Sequence, residues 1–128
     1  MEWSQGDIVR LEQSLAQCTG TQQYYKHWAN SMLYTDGIKT LQDEAMCGWL
    51  IDAIASYQGD RRVVGVPFQL WVLKVEKDKS ASLTMRQDSD TPILIEQKFD
   101  YTDFPLEEMK LYLIDDGENK VLILPNEY

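Results

Sequence analysis

One histidine and two cysteines supply all the imidazole and thiolate metal ligands in this chain of 128 residues. His27 stands alone and Cys18 and Cys47 lie 29 positions apart, so no CxxC, HExxH or EF-hand spacing occurs. No metal and no cofactor is expected. Phosphate-binding loops of the GxGxxG and GxxxxGK[ST] types are also missing. The nearest approach, GDRRVVG at 59–65, lacks the Lys-Ser/Thr pair and follows a helical stretch instead of a strand. There is no GxSxG, and no Cys lies beside the His in sequence, so no nucleophile–base pair can be read from spacing alone. No run of 18 apolar residues is present, which argues against a transmembrane helix. The start, MEWSQGDIVR, has neither the basic nor the apolar region of a secretory leader. A cytoplasmic protein is therefore expected, with both cysteines as free thiols.

Positive charge is scarce as well. Lys and Arg number 12 against 21 Asp and Glu, a net charge of −9. Residues 1–64 carry 5 basic and 8 acidic groups, and residues 65–128 carry 7 and 13. Direct binding to nucleic acid through phosphates needs the opposite sign and is not expected. A protein with a basic surface fits this charge as a partner.

An apolar share of 44% and four Trp are enough for one domain over residues 1–128 with its own core. The stretch 34–58 has the longest helical periodicity. Ile38, Leu41, Ala45 and Trp49 recur at three and four, as do Met46, Leu50, Ala53 and Tyr57. One helix follows, capped by Thr35 or Asp36, stopped by Gly59, with Leu41, Ala45, Trp49, Leu50, Ala53 and Ile54 in the core. Ahead of it, Ser4 and Asp7 make a capping box for a helix with Ile8, Leu11, Leu15 and Cys18 on one face. A second, short helix is expected over 22–29, with Tyr24 and Trp28 on one face.

After residue 67 the pattern changes to strands. Residues 68–75 form a nearly continuous apolar run, 81–86 alternate strictly, and Ile93, Ile95 and Phe99 alternate with Leu94, Glu96 and Lys98. Residues 109–114 and 120–124 are strands joined by DDGEN. The fold class predicted is α+β: three N-terminal helices packed on an antiparallel β-meander of about five strands. Tyr-Thr-Asp occurs twice, at 34–36 and 101–103, as turn-and-cap chemistry at the start of an element.

Three groups of residues can carry function. His27 could pair in space with Asp36 or Asp52, either as a hydrogen-bonded structural group or as an acid–base site. Asp52 falls at the margin of the apolar face, where a carboxylate needs a partner. Tyr24, Tyr25, Trp28 and Tyr34 are either core or a contact surface, since exposed Tyr and Trp anchor interfaces. The acids Asp100, Asp103, Glu107, Glu108, Asp115, Asp116 and Glu118 are the third group, opposed within that segment by Lys110 alone.

The segments GTQQYYKH (20–27), LYTDGIKTLQDEA (33–45), WLIDAIASYQ (49–58), YTDFP (101–105) and VLILPNEY (121–128) resemble an uncharacterised family of small bacterial and phage proteins, a domain of unknown function common in cyanobacteria. The resemblance covers about residues 19–128 and leaves out the N-terminal helix and the stretch GDRRVVGV. It implies no activity, cofactor or catalytic residue. The leading expectation is a small acidic protein-interaction module. In its narrower form this is a mobile-element-encoded, anti-CRISPR-like inhibitor of a host nucleic-acid-binding defence protein. The alternative is a small enzyme or ligand-binding protein using His27, Asp36, Asp52 and the nearby tyrosines. A homodimer with the aromatic helix as its interface is a third possibility.

Overall fold

A computed structural model describes residues 3–128. The first helix, α1, runs Gln5–Ala16. Its capping box is the expected one: the Asp7 N–H donates to Ser4 Oγ and the Ser4 N–H to Asp7 Oδ2, each at 3.1 Å. Leu11 and Leu15 are its buried residues.

Residues 22–29 do not form a second helix. They contain β1, Tyr24–Lys26, paired antiparallel with β2, Leu33–Thr35. Neighbouring tyrosines favour a pleated surface when a partner strand is available. Tyr25 lies opposite Tyr34, and their rings stack at 5.6 Å. Two strands thus separate α1 from the next helix, and the helices do not form a continuous N-terminal block.

The expected long central helix is broken in two. Helix α2, Asp36–Ala45, begins at Thr35, whose Oγ1 accepts the Ile38 N–H at 3.2 Å. It ends at Met46, which adopts a left-handed conformation (φ 53°). Helix α3 is Gly48–Ser56, followed by a 3-10 turn, Tyr57–Gly59. The break has a geometric reason. α2 buries Ile38, Leu41 and Ala45, and α3 buries Leu50, Ile51, Ile54 and Ala55. In one straight helix those two faces would point roughly 140° apart at 100° per residue. The break turns both toward the same core. Trp49 and Ala53, which extend the α2 stripe in a straight helix, are only half-buried, and Met46 is exposed.

The remaining strands are β3 (Phe68–Val75), β4 (Ala81–Arg86), β5 (Ile93–Phe99), β6 (Glu108–Asp115) and β7 (Lys120–Ile123). All seven form one sheet in the order β1-β2-β7-β6-β3-β4-β5. It is a mixed sheet, because β2 pairs in parallel with β7. It is not a five-strand meander either. After β5 the chain crosses back and β6 pairs with the free edge of β3. Residues 100–107 make that crossing along one end of the sheet, where the Thr102 N–H donates to Lys79 O and the Val75 N–H to Glu107 O, both at 2.8 Å. Ile93 is exposed because a register shift at Met85/Arg86 disturbs its end of β5.

One face of the sheet presents Trp71, Leu73, Leu83, Met85, Ile95, Leu111, Leu113 and Leu122 to the core cluster, to which all three helices contribute. Within it, Gln58 and Gln69 exchange amide hydrogen bonds at 3.1 Å, and the Trp71 indole N–H donates to Gln69 Oε1 at 3.0 Å. Buried amides are tolerated there because their donors and acceptors are paired.

Candidate functional site

The loop between β1 and β2 docks on α3 through side chains. His27 Nε2 and the Trp28 indole N–H both reach Asp52 Oδ1, at 2.7 and 3.0 Å. The Asn30 amide donates to Ala55 O at 3.1 Å. On the other side of the imidazole, the Ala29 N–H donates to His27 Nδ1 at 3.1 Å. Nδ1 therefore keeps its lone pair, and Nε2 carries the proton given to Asp52. Both ring nitrogens are committed, and the His27 side chain is only 4% exposed against 47% for Asp52. In this geometry no imidazole lone pair is left for a substrate. The contact holds a loop on a helix.

Asp36 is elsewhere. Its carboxylate accepts the N–H groups of Gly37 and Gln22 at 3.2 and 3.3 Å, at the start of α2. Of the three acid–base candidates, the structure joins His27 to Asp52 and leaves Asp36 out. Tyr24 is exposed and Trp28 is 82% exposed, so both present aromatic surface, but from a strand and a loop instead of one helix face.

The acids fall into two groups at opposite ends of the eight-residue β6, separated by roughly 23 Å at 3.3 Å per residue. In the β6–β7 turn, Asp115 Oδ1 accepts the Gly117 N–H at 2.9 Å. Asp116 Oδ1 accepts those of Glu118 and Asn119 at 2.9 and 2.7 Å. The backbone N–H groups of Asn119 and Glu118 hold the Asp116 carboxyl below its ordinary range. These two acids build the turn, and Glu118 is exposed beside them. At the other end, Asp100, Glu107 and Glu108 are exposed, and Glu108 lies 3.9 Å from Lys110.

Asp103 is different. With Trp49, Phe99, Tyr101 and Thr102 it lines a cleft of about 430 Å³ between the start of α3 and the end of β5. The Trp49 and Phe99 rings meet edge to face, 5.2 Å between centroids and 65° between planes. Tyr101 is 67% exposed. Trp49, Phe99 and Tyr101 were not singled out from the sequence as contact residues. The available signal was the meeting of two motifs, WLIDAIASYQ and YTDFP, each with an aromatic at its start. The same bend is made rigid by Thr102, whose Oγ1 accepts the Phe104 N–H at 3.2 Å, while Phe104 is buried. Of the two Tyr-Thr-Asp copies, Thr35 therefore caps α2, whereas Thr102 closes a turn within the crossing segment, where no helix or strand begins.

Two other motifs meet at the C-terminus. Pro125–Glu127 form a 3-10 turn. Asn126 Nδ2 donates to Leu15 O at 3.0 Å, near the end of α1. Glu127 Oε1 accepts the Thr35 hydroxyl at 2.7 Å and the Leu124 N–H at 2.9 Å, and Oε2 accepts the Thr21 hydroxyl at 3.3 Å. Its carboxylate lies against Gly37 in the first turn of α2. Tyr128 packs on Phe68 and Tyr112, 5.6 Å from each. The segments GTQQYYKH, LYTDG and LPNEY are drawn together by this latch.

Among the described residues, no helix is long and apolar enough to cross a membrane. Cys18 and Cys47 are free, and burial pushes the Cys47 thiol up to about 12.

No curated protein and no solved structure matches the chain. A family model does, and its match begins at Val9 instead of near Thr19, so it takes in most of α1 and the loop GDRRVVGV along with the latch, the His27–Asp52 contact and the aromatic cleft. From residue 9 to residue 128 the chain belongs to a family of unknown function, DUF6876.

Proposed function

We propose that the protein is an acidic interaction module that binds a basic segment of a partner protein, using the bend at residues 100–108 as its contact surface. The observation that carries this is the position of Asp103. It is the member of the acidic segment that lines a cleft with Trp49, Phe99 and Tyr101. The exposed Tyr101 and the partly buried Trp49 and Phe99 provide the apolar anchoring that hot spots need, and surrounding carboxylates steer a basic partner in. The acids of the β6–β7 turn stand at the far end of the sheet and add to long-range steering only. The enzymatic alternative has less to stand on, because both nitrogens of the imidazole are occupied.

The test is affinity capture from the cell of origin with the intact chain and with the variant Asp100→Asn/Glu107→Gln/Glu108→Gln, followed by association kinetics. The captured protein should be basic and retained less by the variant. Its on-rate should fall as salt rises from about 0.05 to 0.3 M, with a smaller change in off-rate. A partner bound by the variant at an unchanged on-rate would remove this reading. The narrower version, an anti-CRISPR-like inhibitor encoded on a mobile element, is compatible with the same charge. In that version nucleic acid competes with this protein for the partner, and simultaneous binding of both excludes it.

A further inference from the structure

The chemistry of the cleft is more specific than an acidic surface. Trp49 lies in the first turn of α3 and Phe99 is the last residue of β5, and both are partly buried against the core cluster. Their rings, at 65° to one another, make a corner whose position is set by two packed elements. Tyr101 adds an exposed third ring, and Asp103 a carboxylate that enters none of the ion pairs among the described residues. A neutral apolar ligand would strip water from Asp103 without replacing it. An anion would meet a carboxylate and the negative faces of the rings. A cation is attracted by both.

We infer that this cleft receives one cationic side chain, lysine or arginine, from the partner's basic segment, with Tyr101 and Asp103 as the specificity-determining residues. This rests on the interaction module proposed above and names the group that module recognises. Trp49 and Phe99 hold the site's shape. Tyr101 and Asp103 reward charge, because one offers a ring face and the other a counter-ion.

The full chain is titrated, with ionic strength held constant, while the indole N–H resonance of Trp49 is followed by NMR. The probes are n-butylammonium for lysine, N-methylguanidinium for arginine, tetramethylammonium as a generic cation, and neopentyl alcohol as its uncharged counterpart of similar shape. Saturable shifts are expected with the cations and not with the alcohol at equal concentration. The tighter of the first two probes identifies the side chain. Tyr101→Ala and Asp103→Asn should each weaken cation binding by about threefold to tenfold, while Tyr101→Phe, which keeps the ring, should bind like the parent. Equal shifts with neopentyl alcohol, or cation affinities unchanged in Asp103→Asn with its melting temperature intact, would overturn the inference. So would Tyr101→Phe losing as much affinity as Tyr101→Ala. The two proposals fail separately. Absence of cation binding while a basic partner is still lost with the Asp100/Glu107/Glu108 variant sinks the cleft and spares the module. Cation binding as described, with no basic partner captured, does the reverse.

Discussion

Replacing Gly37 by alanine should destabilise this protein, although Gly→Ala inside a helix ordinarily stabilises by up to about 1 kcal/mol. The reason is Glu127. A Cβ on Gly37 would lie 2.5 Å from Glu127 Oε1, 2.6 Å from its Cδ and 2.8 Å from Oε2. The side chain is flexible, but its carboxylate is held by the hydroxyls of Thr35 and Thr21 and by the Leu124 N–H. To clear the methyl group it must give up at least the Thr35 bond, where the threonine is fully buried. A hydrogen bond to a charged group contributes about 1.5–3 kcal/mol. After the helix-propensity gain is subtracted, Gly37→Ala should cost about 0.5–2.5 kcal/mol. In a Glu127→Ala background the obstacle is gone, and the same substitution should stabilise by about 0.5–1 kcal/mol. The double-mutant cycle should therefore show a coupling of about 1.5–3 kcal/mol and a reversal of sign. Urea unfolding measures it, with midpoints compared at constant m. Two effects that add within about 0.5 kcal/mol would show that the latch does not bear on α2. A stabilising Gly37→Ala in the parent would show the same.

Three further outcomes follow from the core. Gln69→Leu should cost about 2–5 kcal/mol by denaturant unfolding, because the Trp71 N–H and the Gln58 amide lose partners in a buried site; a neutral effect would mean that water reaches them. Ile51→Ala should cost about 2–5 kcal/mol, and a loss below about 1 kcal/mol would favour a straight central helix, in which Ile51 leaves the core. Cys47 should react with a thiol reagent only on unfolding, while two thiols are counted in urea. Its folded-state thiol titrates at about 12 against an ordinary 9.0, so the stability it contributes is complete below about 9 and is lost as pH rises through about 12. The alkaline slope of stability should therefore be shallower in Cys47→Ala.

Local chemistry was readable without any coordinates. The Ser4–Asp7 capping box, the Thr35 cap and the strands at 68–75 and 81–86 depend on residues a few positions apart, and so does the DDGEN turn, whose own side chains close it. The two acidic groups were likewise separable, since one strand lies between them. Features that needed distant partners were not readable. Tyr24 and Tyr25 become strand because β2 lies beside them and β7 supports β2 in parallel, from nearly 90 residues further along. The central helix breaks at Met46 because two apolar faces must meet one sheet, a constraint absent from the periodicity of either half. β6 returns to β3 because that strand, buried on both faces, needed a neighbour at each edge. That crossing carries Tyr101 and Asp103 along the end of the sheet to Trp49. His27 could be seen as a residue in want of a carboxylate. Asp52 instead of Asp36 supplies it, because Asp36 is already engaged at the start of α2 and the β1–β2 loop rests on α3.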